Sequence, residues 1–108
     1  MIVGYRKLSV ASHAESRQSS RVEIGTSIRV RQRGARSIQV IVEELSCGGC
    51  RVQWPHSISV GDRLWVTLPG LAPISALVVW AADFKFGCRF EVPLHAAVLR
   101  LTIARTQP

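Results

Sequence analysis

The chain has 108 residues and a formal charge of +7, carried by twelve arginines and two lysines against seven carboxylates. That length points to one domain, and an apolar content of 47% excludes a fully disordered chain. The charge implies an anionic partner: nucleic acid, a nucleotide or an acidic protein surface. Arginine favours phosphate or guanine, because a guanidinium pairs in a two-pronged way that lysine cannot copy.

Residues 1–21 are rich in Ser, Arg and small residues without a period, and they read as a mobile N-terminal arm. Their apolar residues are broken by Arg6, Lys7 and His13, so the stretch does not read as a signal peptide. No apolar run approaches the roughly 18 residues of a spanning helix. The expectation is a cytoplasmic protein that does not insert into membranes. Three cysteines are an odd number, which argues against a disulfide framework.

Residues 22–105 read as a second unit, short strands separated by turns, as in a barrel or sandwich. The first strand is expected over about Val22–Arg33, with Ile28 and Val30 inward and Arg29, Arg31 and Arg33 outward. The second is expected over Ser37–Leu45, with Ile38, Val40 and Val42 on one face, and the third over Cys50–Trp54. Pro55 ends the third, since proline cannot donate to a ladder. Gly61-Asp62 precedes a fourth strand at Arg63–Leu68, and Pro69-Gly70 closes it. The fifth, Ile74–Ala81, is apolar on both faces and needs a cover; Trp54 and Trp80 are expected in the core. The sixth is expected over Phe84–Val92. From Pro93 to Arg105 the period becomes helical, with Leu94, Val98 and Leu101 on one face. This helix is expected to pack on the barrel, over the fifth strand.

Two patterns carry chemistry. Arg17-x-x-x-Arg21 places two guanidinium groups on one side of a helix or an extended segment, able to clamp two phosphates, or a phosphate and a guanine edge. By itself the spacing also fits a solvated basic arm. Glu44-x-Ser46-x-x-Gly49 sets a carboxylate and a hydroxyl on one face of a strand end. Such a pair can meet the donors of a guanine edge, and Gly48 and Gly49 let backbone come close to a ligand. By itself it also fits a tight turn with a polar lip. Cys47-Gly48-Gly49-Cys50 is a poor metal or redox site: zinc needs four ligands, and a thioredoxin-like thiol needs a helix start. Cys50 and Cys88 are expected to pack inward as small apolar groups. His13, His56 and His95 are scattered, and no catalytic arrangement emerges.

Together with the flanking "GGCRVQW" and Ala76-Leu77-Val78-Val79-Trp80, the two patterns resemble the RxxxR and [D/N]xSxxG motifs of the PilZ domain family, over roughly residues 15–105. The resemblance implies an all-β fold, a six-stranded antiparallel barrel with a C-terminal α-helix. It implies a receptor for the bacterial second messenger cyclic di-GMP, not an enzyme, with no cofactor and no metal. It makes Arg17 and Arg21 the clamp, and Glu44, Ser46, Gly48 and Gly49 the guanine site. Glu44 departs from the family's Asp or Asn by one methylene. A chain this short is expected to carry no effector domain of its own, so a protein effector partner is expected. Two other readings stand beside it: a PilZ-like adaptor that binds only protein, and a basic barrel for nucleic acid. The last is disfavoured because Trp65 alone offers an outward aromatic for stacking.

Overall fold

The structure, a computed structural model, describes residues 22–106. Six strands form a closed antiparallel barrel: β1 Val22–Gln32, β2 Ile38–Leu45, β3 Gly49–Gln53, β4 Arg63–Thr67, β5 Ile74–Ala82 and β6 Lys85–Phe90. Around the barrel the order is β1-β2-β3-β6-β5-β4. One helix, α1, follows at Ala96–Thr106. The strands thus lie within a residue or two of where alternation puts them.

The inner face is built by that alternation. Ile28 and Val30 of β1, Val40 and Val42 of β2, Val52 of β3, Leu64 and Val66 of β4, Ala76 and Val78 of β5, and Phe86 and Phe90 of β6 are all buried. Each fully buried large side chain contributes about 1.5–3 kcal/mol relative to exposure. Cys50 and Cys88 join this core as expected, opposite one another on β3 and β6 with sulfurs 3.5 Å apart. The hydrogen bond to Cys88, then burial, raise the Cys50 thiol well above its ordinary pKa, so it stays protonated.

The barrel has two ends. At one stand the start of β1, the β2–β3 turn, the end of β6 and α1. Leu94 N–H donates to the Cys47 carbonyl at 2.8 Å, tying the entry to α1 onto the β2–β3 turn. A Cβ on Gly70 would meet the Arg105 side chain, so the far end of α1 reaches the β4–β5 turn. The helix therefore lies across an open end of the barrel, with β1 as its main strand neighbour, and not on the outer face of β5. Its buried stripe is Leu99 and Thr102, with Ile103 packed against the core, while Leu101 is 52% exposed. The expected face of Leu94, Val98 and Leu101 is displaced because Leu94 precedes the helix; His95 caps it, Nδ1 accepting from Ala97 N–H at 3.1 Å. The Thr102 hydroxyl is satisfied by donating to the Val98 carbonyl at 2.8 Å.

At the other end the β5–β6 hairpin closes in two residues, Asp83 and Phe84, between the paired Ala82 and Lys85. Both have positive φ, 53° and 60°. A two-residue loop of this hand matches strand twist, and glycine is preferred at its second position. Phe84 is thus a turn residue and not the first residue of β6; its β preference misled the periodic reading. It is 80% exposed. A bulky side chain in the left-handed region costs about 1–2 kcal/mol, and glycine's greater freedom in the unfolded chain offsets part of that. Phe84→Gly is expected to raise stability by about 0.5–1 kcal/mol, read as a higher urea midpoint at unchanged slope.

Candidate functional site

The β2–β3 turn is built from its own residues. Ser46 N–H donates to the Gly49 carbonyl at 2.9 Å, and the Ser46 hydroxyl accepts from Gly48 N–H at 3.2 Å. Phe90 N–H donates to the Gly48 carbonyl at 2.8 Å, fixing the turn to β6. Gly48 is exposed, and a Cβ there would meet nothing. Gly49 differs: it pairs with Arg89 inside the ladder, and a Cβ on it would run into the Cys88 backbone carbonyl. The close packing of β3 on β6 is itself enough to require that glycine.

Glu44 reaches the outer face through a bulge. The β2–β3 register shifts between Val42 and Glu44, so Val42 pairs with Val52, and Glu44 with Arg51. Buried positions then run Val40, Val42, Leu45, and both Glu43 and Glu44 turn toward Arg51. Strict alternation from Val40 and Val42 would have put Glu44 in the core. Arg51 holds both carboxylates, Nε to Glu43 Oε1 at 3.1 Å and Nη1 to Glu44 Oε1 at 3.5 Å. Lys85 Nζ lies 3.3 Å from Glu43 Oε1, and Gln53 Nε2 donates to Glu43 Oε2 at 2.9 Å.

Burial pushes the Glu43 carboxyl up, but hydrogen bonds from Gln53, Arg51 and Lys85 outweigh it and hold its pKa below the ordinary glutamate value. A depressed acid stabilises the fold above its unfolded pKa, and that contribution is lost as pH falls through the folded value. Wild type should therefore lose stability below about pH 4.5 more steeply than Glu43→Gln, in urea titrations at stepped pH.

The ladder extends this patch into a row across four strands: Glu44 on β2, Arg51 on β3, Gly87 on β6 and Trp80 on β5. The Trp80 indole lies over Gly87, where a side chain would otherwise stand. Trp80 is half-buried on the outer face and is not in the core, correcting the expectation from its apolar neighbours. A second bulge, between Val78 and Trp80, is the cause. The next row runs Gly49, Arg89, Leu77 and Arg63. Arg63 is taken by Glu91 at 2.9 Å. Arg89 is exposed and has no ion pair among the described residues, leaving its guanidinium available to an anion beside Gly49. Arg51, Trp80 and Arg89 were not singled out as site residues; only the strand register brings them to Glu44, Ser46 and Gly49.

Arg17 and Arg21 lie outside the described residues. The backbone of Val22, which follows Arg21 in sequence, pairs with Leu45, and Glu23 pairs with Glu44. The chain thus enters the barrel next to the turn.

The chain is thus a closed six-stranded antiparallel barrel capped by one helix, with a polar turn on one outer corner beside an arginine that has no ion pair among the described residues. The sequence pattern of the PilZ domain family matches residues 15–105, which includes Arg17 and Arg21, and the chain belongs to that family. The family is one of binding and regulatory domains, with cyclic di-GMP receptors among its members. Among solved structures, the chain is similar to a crystal structure of the PilZ domain of CeSA from a cellulose synthesizing bacterium. That match has a TM-score of 0.57 and 20% identity, covering 81% of this chain and 93% of the other. At that identity the likeness concerns the fold. No curated protein matches the chain. Among the described residues no helix is long and apolar enough to cross a membrane.

Proposed function

We propose that the chain binds cyclic di-GMP on the outer barrel corner around Ser46 and Gly49 and passes the signal to a protein partner, with no catalytic step and no cofactor. Family membership supports this reading, and one observation carries it. The strand that follows Arg17 and Arg21 in sequence pairs, at Val22 and Glu23, with the motif turn's own Leu45 and Glu44. Arg17 and Arg21 clamp phosphate and guanine, Arg89 adds a third guanidinium, and Glu44 and Ser46 meet the guanine edge. Gly48 is exposed, with open space where a Cβ would stand, and leaves room for the ligand at the turn. Binding orders residues 1–21 on the barrel and presents a new surface.

The Arg51–Glu44 pair favours a second reading, an adaptor that binds protein and not the nucleotide. A carboxylate oxygen already engaged by a guanidinium is less available to a base. Calorimetric titration of cyclic di-GMP near physiological salt, with GTP as control, separates the two. Micromolar or tighter binding absent for GTP is the expected result. No heat at millimolar ligand would leave the adaptor reading. Unchanged amide exchange in residues 1–21 at saturating ligand would remove the ordering step.

A further inference from the structure

The barrel is closed, but one seam of it is only half sewn. Along β2, Ile38, Gln39, Val40 and Ile41 pair with Val30, Arg29, Ile28 and Ser27 of β1. On the β3 side, register begins only at Val42. The C-terminal end of β3 has turned to β6 instead: Gln53 pairs with Lys85, and Trp54 N–H donates to the Phe84 carbonyl at 2.8 Å. In an antiparallel strand alternate residues direct their N–H and C=O groups to opposite sides. Part of the backbone of residues 38–41 therefore faces away from β1, along a stretch where β3 supplies no partner strand. Between the diverging strands lies a cavity of about 510 Å³, with Gln39, Val40 and Ile41 on one wall and Gln53, Trp54 and Phe84 on the other.

Three further features mark this cleft. Phe84 is held at positive φ and is 80% exposed at its rim, an arrangement that costs stability and covers no core. Trp54 is 3% exposed, and its indole N–H has no hydrogen-bond partner among the described residues. The flanking cations are unopposed: Arg29, register partner of Gln39, and Arg33 and Arg36 of the β1–β2 turn are exposed and make no ion pair among the described residues.

We infer that this cleft is the docking site for an extended segment of the protein partner, added as a strand to the free side of β2. The segment carries alternating apolar residues for the cavity and acidic residues for Arg29, Arg33 and Arg36. The inference deepens the proposed reading and rests only on that part of it in which a protein partner receives the signal. It does not depend on nucleotide binding. The cleft lies at the hairpin end of the barrel, opposite the β2–β3 turn, so the two surfaces can be occupied together.

The test uses the full chain without nucleotide. Amide exchange is first followed by NMR: cleft-facing amides among residues 38–41 should exchange at least tenfold faster than their β1-facing neighbours. A phage-displayed library of 12-residue peptides is then panned against the chain. Enriched peptides should alternate apolar residues beside Asp or Glu, slow exchange at those cleft-facing amides, and bind at least tenfold more weakly to Phe84→Gly and to Arg36→Glu. Phe84→Gly is expected to fold at least as well as wild type, so its loss of binding would not reflect unfolding. Uniform protection along β2 in the free chain would overturn the inference, as would no enrichment or peptides that leave residues 38–41 unperturbed. A concentration-dependent dimer abolished by Phe84→Gly would assign the cleft to a second copy and overturn the partner.

Discussion

Gly49→Ala should unfold at a urea concentration about 2 M below wild type, while Gly48→Ala unfolds within error of it. The two glycines are adjacent in one motif, and both invite the same explanation, backbone room for a ligand. Their surroundings differ. At Gly48 a methyl group enters open space, and its φ is not in the left-handed region. A surface change of that kind shifts stability by no more than about 0.5 kcal/mol. At Gly49 the methyl would overlap the Cys88 carbonyl, a backbone atom of the paired strand that cannot rotate away. Relief requires β3 and β6 to separate where Cys50 and Cys88 fill the core. Overpacking of this sort costs about 3 kcal/mol, and a slope near 1.5 kcal/mol/M gives the 2 M shift. If Gly49→Ala were as stable as wild type, the packing account of that glycine would be wrong and its role would belong to the ligand alone.

Arg21→Ala is expected to weaken cyclic di-GMP binding by about 10- to 150-fold with no change in unfolding midpoint. A charge-assisted hydrogen bond contributes about 1.5–3 kcal/mol, and about 1.4 kcal/mol is tenfold in affinity. Arg21 precedes the first residue of β1, whose backbone pairs with Leu45, and the core among the described residues is built from residues of the barrel and helix. A merely structural role would move the urea midpoint; a ligand role moves only the titration. Equal affinity in the variant and wild type would remove the arginine clamp and shift attention to Arg89.

Much of the fold is legible in the residues. The alternation of Ile28 and Val30 against Arg29 and Arg31 gives β1 and its orientation. Pro55, Gly61-Asp62 and Pro69-Gly70 punctuate the chain where the strands stop. The inward cysteines were legible for the same reason, and so was the outward Arg31, which stacks 4.3 Å from the Trp65 ring centroid. The misses at Glu44 and Trp80 share a cause. A bulge is a relation between two strands, and nothing in Val42–Glu44 or Val78–Trp80 alone announces one. Both bulges lie where the site is. One carries Glu44 outward beside Glu43, and the other takes Trp80 out of the core. The face of α1 was missed because helix entry is set by a local His95 cap and by Leu94 bonding to Cys47, a tertiary contact.

Strand alternation alone gives a barrel or sandwich of short strands, the inner and outer residues of most of them, and the net positive charge; the barrel itself and the two motifs come with the family resemblance. What alternation and charge give follows from local period and composition, which act over a few residues. Which outer residues become neighbours depends on how the strands assemble. Strand order places β6 between β3 and β5, so Arg51, Gly87, Trp80 and Arg89, up to 38 positions apart in the chain, share one surface with Glu44. The same assembly also decided that Gly49 is required by packing, and that β2 keeps a free side along residues 38–41. Both are outcomes of register, and register is fixed by how the whole core closes rather than by any segment of it.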